Sequence, residues 1–287
     1  MLFRSMKFSD INIRDPFVLV ENGKYYLYGT RGETAWTKAY GLDVYVSDDL
    51  ENWSEPIECF TLPDKFWANK EIWAPEVHRY NDRYYMFVTF NAEDRCRGTQ
   101  ILKSDTPEGP FLTFTDDAVT PRDWLCLDGT FYVDKNGKPY IVFCHEWVQV
   151  TDGEIHAMPL KEDLSAPAGE PILLFKASEP YWADKDRDKY VTDGPFIYRT
   201  KGGKLLMIWS TFTESGYTQA VAYSDNGEID GKWIQAEPLF KDNGGHGMIF
   251  DDMNGKKYLI LHSPNENPLE RPVLIEIKEI NDELVVL

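Results

Sequence analysis

One pattern recurs five times along this chain, and any fold proposed for it must use that pattern five times. The copies are RDPFVLVENGKYYLYGT from Arg14, APEVHRYNDRYYMFVTF from Ala74, DGTFYVDKNGKPYIVFC from Asp128, DGPFIYRTKGGKLLMIWS from Asp193 and HGMIFDDMNGKKYLILHS from His246. Each runs from a small or polar opening through a short apolar run, a turn and a second apolar run. The turns are Asn22-Gly23, Asn81-Asp82, Asn136-Gly137, Gly202-Gly203 and Asn254-Gly255. Such residues tolerate the positive φ of a tight turn, so each copy reads as a β-hairpin.

The spacing of roughly 50 to 65 residues is that of a four-stranded propeller blade. Weaker third strands follow the hairpins (LDVYVSDDL, TQILKSD, EIHAMPL, TQAVAYSD), then fourth ones (WSEPIECF, FLTFTD, EPILLF, WIQAEPLF). No long segment has the 3.6-residue period of an amphipathic helix. The expectation is an all-β, five-bladed β-propeller in one domain spanning 1–287, with blades beginning near 14, 74, 128, 193 and 246. Aromatic residues make up 14% of the chain, which suits pleated strands and also suits the stacking of aromatic faces on sugar rings.

A propeller brings the first strand of every blade to one axis. Asp15, Glu76, Asp128, Asp193 and His246 open those strands and are expected to meet at one end of the channel. Carboxylates crowded in a cleft shift each other's protonation and are costly without a use. Two of them across a cleft can cleave a glycosidic bond, one activating water and one donating a proton to the leaving oxygen. A separation of about 6.5–9.5 Å would leave room for the water and invert the anomeric centre.

Other chemistries lack support. The formal charge of −18 argues against a sequence-independent grip on nucleic acid, and no apolar run is long enough for a membrane span. No P-loop, G-x-G-x-x-G or G-x-S-x-G occurs, and no histidine or cysteine cluster has zinc spacing. Cys59, Cys96, Cys126 and Cys144 read as buried free thiols, with one disulfide pair among them as the alternative. MLFRSMKFSDINIRDPF has no apolar leader region, so the chain as it stands is expected in the cytoplasm; a leader already removed would leave the same sequence on a secreted or periplasmic protein.

NIRDPFV, IWAPEV, LDGTFYVDKNGKPY, TDGPFIYRTKGGKLLMIWST and GGHGMIF, in this order and at these intervals, resemble glycoside hydrolase family 43 from about Ile13 to Arg271. Members of that family are five-bladed propellers acting mainly on arabinofuranosides and xylosides. The resemblance implies Asp15 as the base that activates water and Asp128 as the carboxylate that orients the acid and raises its pKa. It matches His246 to a histidine near the axis that in several members contacts a central structural calcium or its waters, and that would also meet substrate; no cofactor is otherwise required. Trp73 and Glu76 would flank the pocket, and Arg271 would reach it from the last blade. The family's acid is usually a Glu in an EGP motif, whereas this chain reads TDGP with Asp193.

Aspartate is one methylene shorter, and a displacement of about 1 Å can cost about 100-fold in rate. Three explanations stand: Asp193 is the acid for a deeper-seated substrate; Glu146 in FCHEW donates instead, beside Trp147, which would offer a face to sugar; or the protein only binds carbohydrate. Glu214 reads as a surface residue. His145 and His262 are expected to line or cap the pocket, and His78 and His156 to be structural or exposed.

The leading functional expectation is an inverting, exo-acting α-L-arabinofuranosidase on an oligosaccharide or polysaccharide side chain. A β-D-xylosidase or β-D-galactofuranosidase of the same mechanism is the near alternative, and a non-catalytic sugar-binding propeller the alternative of another class. Long inserts at 31–43, 91–99, 145–154 and 177–191 would wall a pocket if they lie on the active face; an endo-arabinanase would need an open cleft.

Overall fold

The computed structural model describes residues 5–183 and 187–287 and consists of five antiparallel sheets. The first has Ile13–Glu21 innermost, then Lys24–Arg31 and Gly41–Ser47; its outer edge is split between Asn52–Trp53 and Ile57–Thr61. The N-terminal strand Met6–Lys7 pairs with Asn52–Trp53. Blade two runs Ile72–Tyr80, Arg83–Phe90, Gly98–Ser104 and Leu112–Thr113. Blade three runs Cys126–Val133, Pro139–His145, Glu154–Pro159 and Ile172–Lys176. Blade four runs Asp193–Arg199, Leu205–Thr213, Gly216–Ser224 and Trp233–Gln235, and blade five Gly245–Asp251, Lys257–Ser263, Arg271–Ile280 and Glu283–Val286. The expected blade starts fall within two residues of the observed ones.

Each blade is a consecutive meander, and the innermost strands touch their neighbours all the way round, blade five against blade one included. The blades pack through apolar layers. Tyr28, Phe60, Phe90 and Phe111 join blades one and two, and Phe175, Trp209 and Trp233 join blades three and four. The hairpin turns differ in detail. Asn22-Gly23 and Asn81-Asp82 take positive φ at both positions, whereas Gly137, Gly203 and Gly255 alone do so in the other three.

All five innermost strands carry a β-bulge at the same place. The register shifts between Arg14 and Phe17, Trp73 and Glu76, Leu127 and Thr130, Asp193 and Phe196, and Gly245 and Met248. In each bulge one residue is left-handed: Asp15 (φ 52°), Ala74 (47°), Asp128 (56°), Gly194 (47°) and His246 (52°). A bulge bends its strand and re-aims the side chain it carries. The equivalent positions are therefore Asp15, Ala74, Asp128, Gly194 and His246. The alignment read from sequence needs correcting in two blades: Glu76 lies two residues past the bulge position and Asp193 one before it.

Candidate active site

The bulges open onto a pocket of about 390 Å³, lined by Asp15, Asp128, Asp193, Glu146 and His246 among others. The residues expected there thus meet, although they come from four blades. Trp73 and Trp147 line it too. Glu76 does not: it is buried beneath, with Oε2 3.0 Å from His78 Nε2. Arg271 also stays out of the pocket; its guanidinium donates to the carbonyls of Ser9, Pro268 and Glu270, fastening the blade-five loop to the N-terminal segment. The guanidinium that does reach the pocket is Arg14, 2.7 Å from Glu270.

Asp15 is held from all sides. Thr30 Oγ1 donates to its Oδ2 at 2.6 Å, and that same hydroxyl accepts the Ala74 N–H at 2.8 Å. The Asp15 N–H donates to His262 Nδ1 at 3.2 Å, so Nε2 of that fully buried ring carries the proton and faces Asn265 Oδ1 at 3.1 Å. His262 therefore caps the pocket from below and does not line it. His246 Nδ1 lies 3.1 Å from Asp15 Oδ1 and 3.7 Å from Asp128 Oδ2. Burial disfavours charge on Asp15, but the His246 imidazolium, its hydrogen bond, and Arg14 outweigh burial and hold the carboxyl well below the usual range. Burial likewise opposes the charge on His246, and the three aspartates overcome it, raising its pKa to about 10.

The other two aspartates go the opposite way. Burial raises Asp128 to about 6; His246 and the Gly194 N–H, which donates to its Oδ2 at 3.0 Å, oppose the rise, while Asp15 adds to it. Burial and then Asp128 push Asp193 up to about 7. Tyr217, itself buried and neutral, donates its hydroxyl to Asp193 Oδ2 at 3.0 Å. Glu146 is raised by burial, but Arg97 opposes this through an ion pair of 2.7 Å. The pocket thus combines an ionised Asp15 with an Asp193 whose protonated form is favoured, the division of labour that acid–base cleavage needs.

His246 Nδ1 faces Asp15 Oδ1 and Asp128 Oδ2 and is engaged by both carboxylates. With Arg14 it brings positive charge to the aspartates of the pocket, and no step below passes through a metal.

Gly194 is required where it stands. A Cβ there would meet His246 Cδ2 at 2.5 Å, at a φ that side chains rarely adopt. Gly194→Ala is expected to displace His246 from Asp15 and lower stability by about 1–3 kcal/mol. A denaturant midpoint equal to wild type would contradict this.

The walls come largely from the inserts. The 31–43 insert supplies Trp36, 145–154 supplies Glu146 and Trp147, and 177–191 supplies Val191, its residues 184–186 lying outside the described set. Arg97 of the 91–99 insert supports Glu146 and sits 5.1 Å over the Trp73 ring. Sequence reasoning missed Arg14, Trp36, Phe212, Tyr217, Asn265, Asn267 and Glu270. Arg14 carried a signal in RDP, directly beside the base; the two asparagines and Glu270 sit in a polar loop that nothing in the sequence distinguishes from surface. Glu214 is exposed, and His156, expected to be structural or exposed, is buried against Glu154. The four cysteines are free thiols, three of them buried and Cys96 half-buried. No helix among the described residues is long and apolar enough to cross a membrane.

Comparison with known proteins agrees with this geometry. The description "Glycosyl hydrolases family 43" matches residues 9–285. A solved structure described as an endo-arabinase from Bacteroides thetaiotaomicron VPI-5482 is 40% identical, with a TM-score of 0.89 over 97% of this chain and 99% of that one. Extracellular endo-alpha-(1->5)-L-arabinanase 1 of Bacillus subtilis is 26% identical across 84% of this chain and 85% of its own. A xylosidase/arabinosidase of Butyrivibrio fibrisolvens is 24% identical over 86% of this chain but only 48% of its own length. The five-bladed fold, the carboxylate pocket and these matches together show that the chain is a glycosidase belonging to glycosyl hydrolase family 43.

Proposed function

We propose that this enzyme hydrolyses α-L-arabinofuranosyl linkages with inversion, releasing a terminal sugar from an oligosaccharide or polysaccharide side chain. The supporting observation is that Asp15, Asp128 and Asp193 meet in one pocket, where His246 and Arg14 favour the ionised form of Asp15 while burial and Asp128 favour the protonated form of Asp193. Asp15 removes a proton from water as its oxygen attacks the anomeric carbon, and Asp193 gives its proton to the departing glycosidic oxygen. Because Tyr217 donates to Oδ2, the acidic proton resides on Oδ1. Asp128 keeps Asp193 protonated through like-charge repulsion. His246 holds Asp15 and Asp128 at fixed positions and stabilises the charge on the base. Glu146 forms part of the wall; the Arg97 guanidinium on its Oε2 favours the ionised carboxylate over the protonated acid.

Arabinose is favoured because one of the matched relatives is named an endo-arabinanase and another an endo-arabinase. The walled pocket favours attack at a chain end. The names of those relatives favour the second reading, interior cleavage of α-1,5-arabinan.

The test is the product pattern on debranched arabinan and on 4-nitrophenyl α-L-arabinofuranoside, β-D-xyloside and β-D-galactofuranoside, with the anomer read by proton NMR. The expected result is free arabinose, first appearing as the β anomer. Oligosaccharides of intermediate length would establish interior cleavage. Turnover confined to the xyloside or galactofuranoside, or a first-formed α anomer, would overturn the proposal.

A further inference from the structure

Metal-ligand spacing along the chain misses one cluster, because its members lie on neighbouring strands of blade three. His145 pairs directly across from Glu154, and His156 lies two residues further along that second strand, hence on the same face of the sheet. His145 Nδ1 is 3.2 Å from Glu154 Oε2, and His156 Nε2 is 3.0 Å from the same oxygen. One ligating atom from each of the three residues lies within 4.8 Å of the others. Both imidazoles are buried, and the Trp124 ring stacks on His145 at 4.2 Å.

The surrounding hydrogen bonds decide how His145 is presented. Gln149 Nε2 donates to the Asp123 carbonyl at 2.8 Å, and Gln149 Oε1 accepts the Leu125 N–H at 2.7 Å, so the amide orientation is determined. His145 Nε2 lies 2.8 Å from that same Oε1 and must therefore be the N–H donor. In a neutral ring Nδ1 then carries a lone pair, and it faces a carboxylate oxygen. Acceptor meets acceptor in that form, and the conflict is removed either by a proton on Nδ1 or by a metal cation in its place. This is also how outer partners orient a metal-binding imidazole: one nitrogen donates to a carbonyl oxygen, and the other is left to ligate.

We propose that His145, Glu154 and His156 form a binding site for a divalent transition metal of the zinc class, separate from the catalytic pocket. Two imidazoles and one carboxylate suit zinc and its neighbours, not calcium or magnesium, and three protein ligands leave a fourth position for water. Two features limit the affinity. Lys176 Nζ sits 2.8 Å from Glu154 Oε1 as a competing cation. His156 Nδ1 is buried without a partner, so this ring lacks the outer support that is worth about 10–100-fold in affinity.

The test titrates the chelator-stripped, full-length chain with zinc by calorimetry, and with cobalt by visible absorption. The expected result is one metal ion per chain and a cobalt spectrum of low-coordinate, histidine-containing type. His145→Ala and His156→Ala should each weaken binding about tenfold or more. Lys176→Ala should tighten it, and Asp15→Asn should leave it unchanged. The proposal is overturned by an absence of binding with both metals, or by affinities that folded His145 and His156 variants leave unaltered. Should those variants fail to fold, an affinity unchanged in Lys176→Ala overturns it equally. None of these outcomes depends on which glycoside the enzyme cleaves.

Discussion

Asp15→Asn should lower kcat/KM by about 10³-fold while leaving the protein folded, because a positioned general base contributes about 10²–10⁴-fold. The amide keeps the shape of the side chain and can still accept from Thr30, which now donates at 2.6 Å. It cannot accept the proton of attacking water. The loss should appear on substrates with good and poor leaving groups alike, since water must be activated in both. Thermal melts and circular dichroism check the fold, and initial rates on an activated arabinofuranoside check the chemistry. A folded Asp15→Asn enzyme with near-normal turnover would remove Asp15 from the mechanism.

The second large effect concerns the proton donor. Asp193→Ala should slow hydrolysis of arabinan or alkyl arabinofuranosides by about 10²–10⁴-fold and affect a dinitrophenyl glycoside far less, because a good leaving group needs no proton. Glu146→Ala should show no such dependence on the leaving group. The reverse pattern would make Glu146 the acid.

The pH profile supplies an independent check. Asp193 must carry its proton, so activity is present below about 7 and falls as pH rises through that value. Asp15 must be ionised, and its carboxyl is held below the usual range, so the acid limb lies at low pH. Asp128→Asn removes the negative charge second only to burial in raising Asp193. The alkaline limb should then move to lower pH. A limb that moved upward would show that Asp128 does not act through charge.

The propeller was legible because its determinants are local. A turn such as Asn22-Gly23 between two alternating apolar runs specifies a hairpin wherever it occurs, and five of them in series leave few ways to bury their faces. The site was legible in part for the same reason: residues opening equivalent strands must converge. The alignment failed in blades two and four because no side chain announces which residue of the bulge goes left-handed there. Ala74 adopts φ 47° with no residue preference to mark it, while Glu76 offered a more conspicuous carboxylate. The family resemblance placed Arg271 in the pocket, yet the backbone carbonyls of its own loop claim its guanidinium.

What the amino-acid order determined alone was the repeat, its β character and the identity of three aspartates and a histidine facing one axis. It could not determine which aspartate holds a proton. That depends on neighbours contributed by other blades: His246 beside Asp15, Tyr217 on Asp193, Arg97 on Glu146. A carboxyl buried alone rises and one buried against an imidazolium falls, so identical side chains acquire opposite roles only once the ring has closed and set the distances between them.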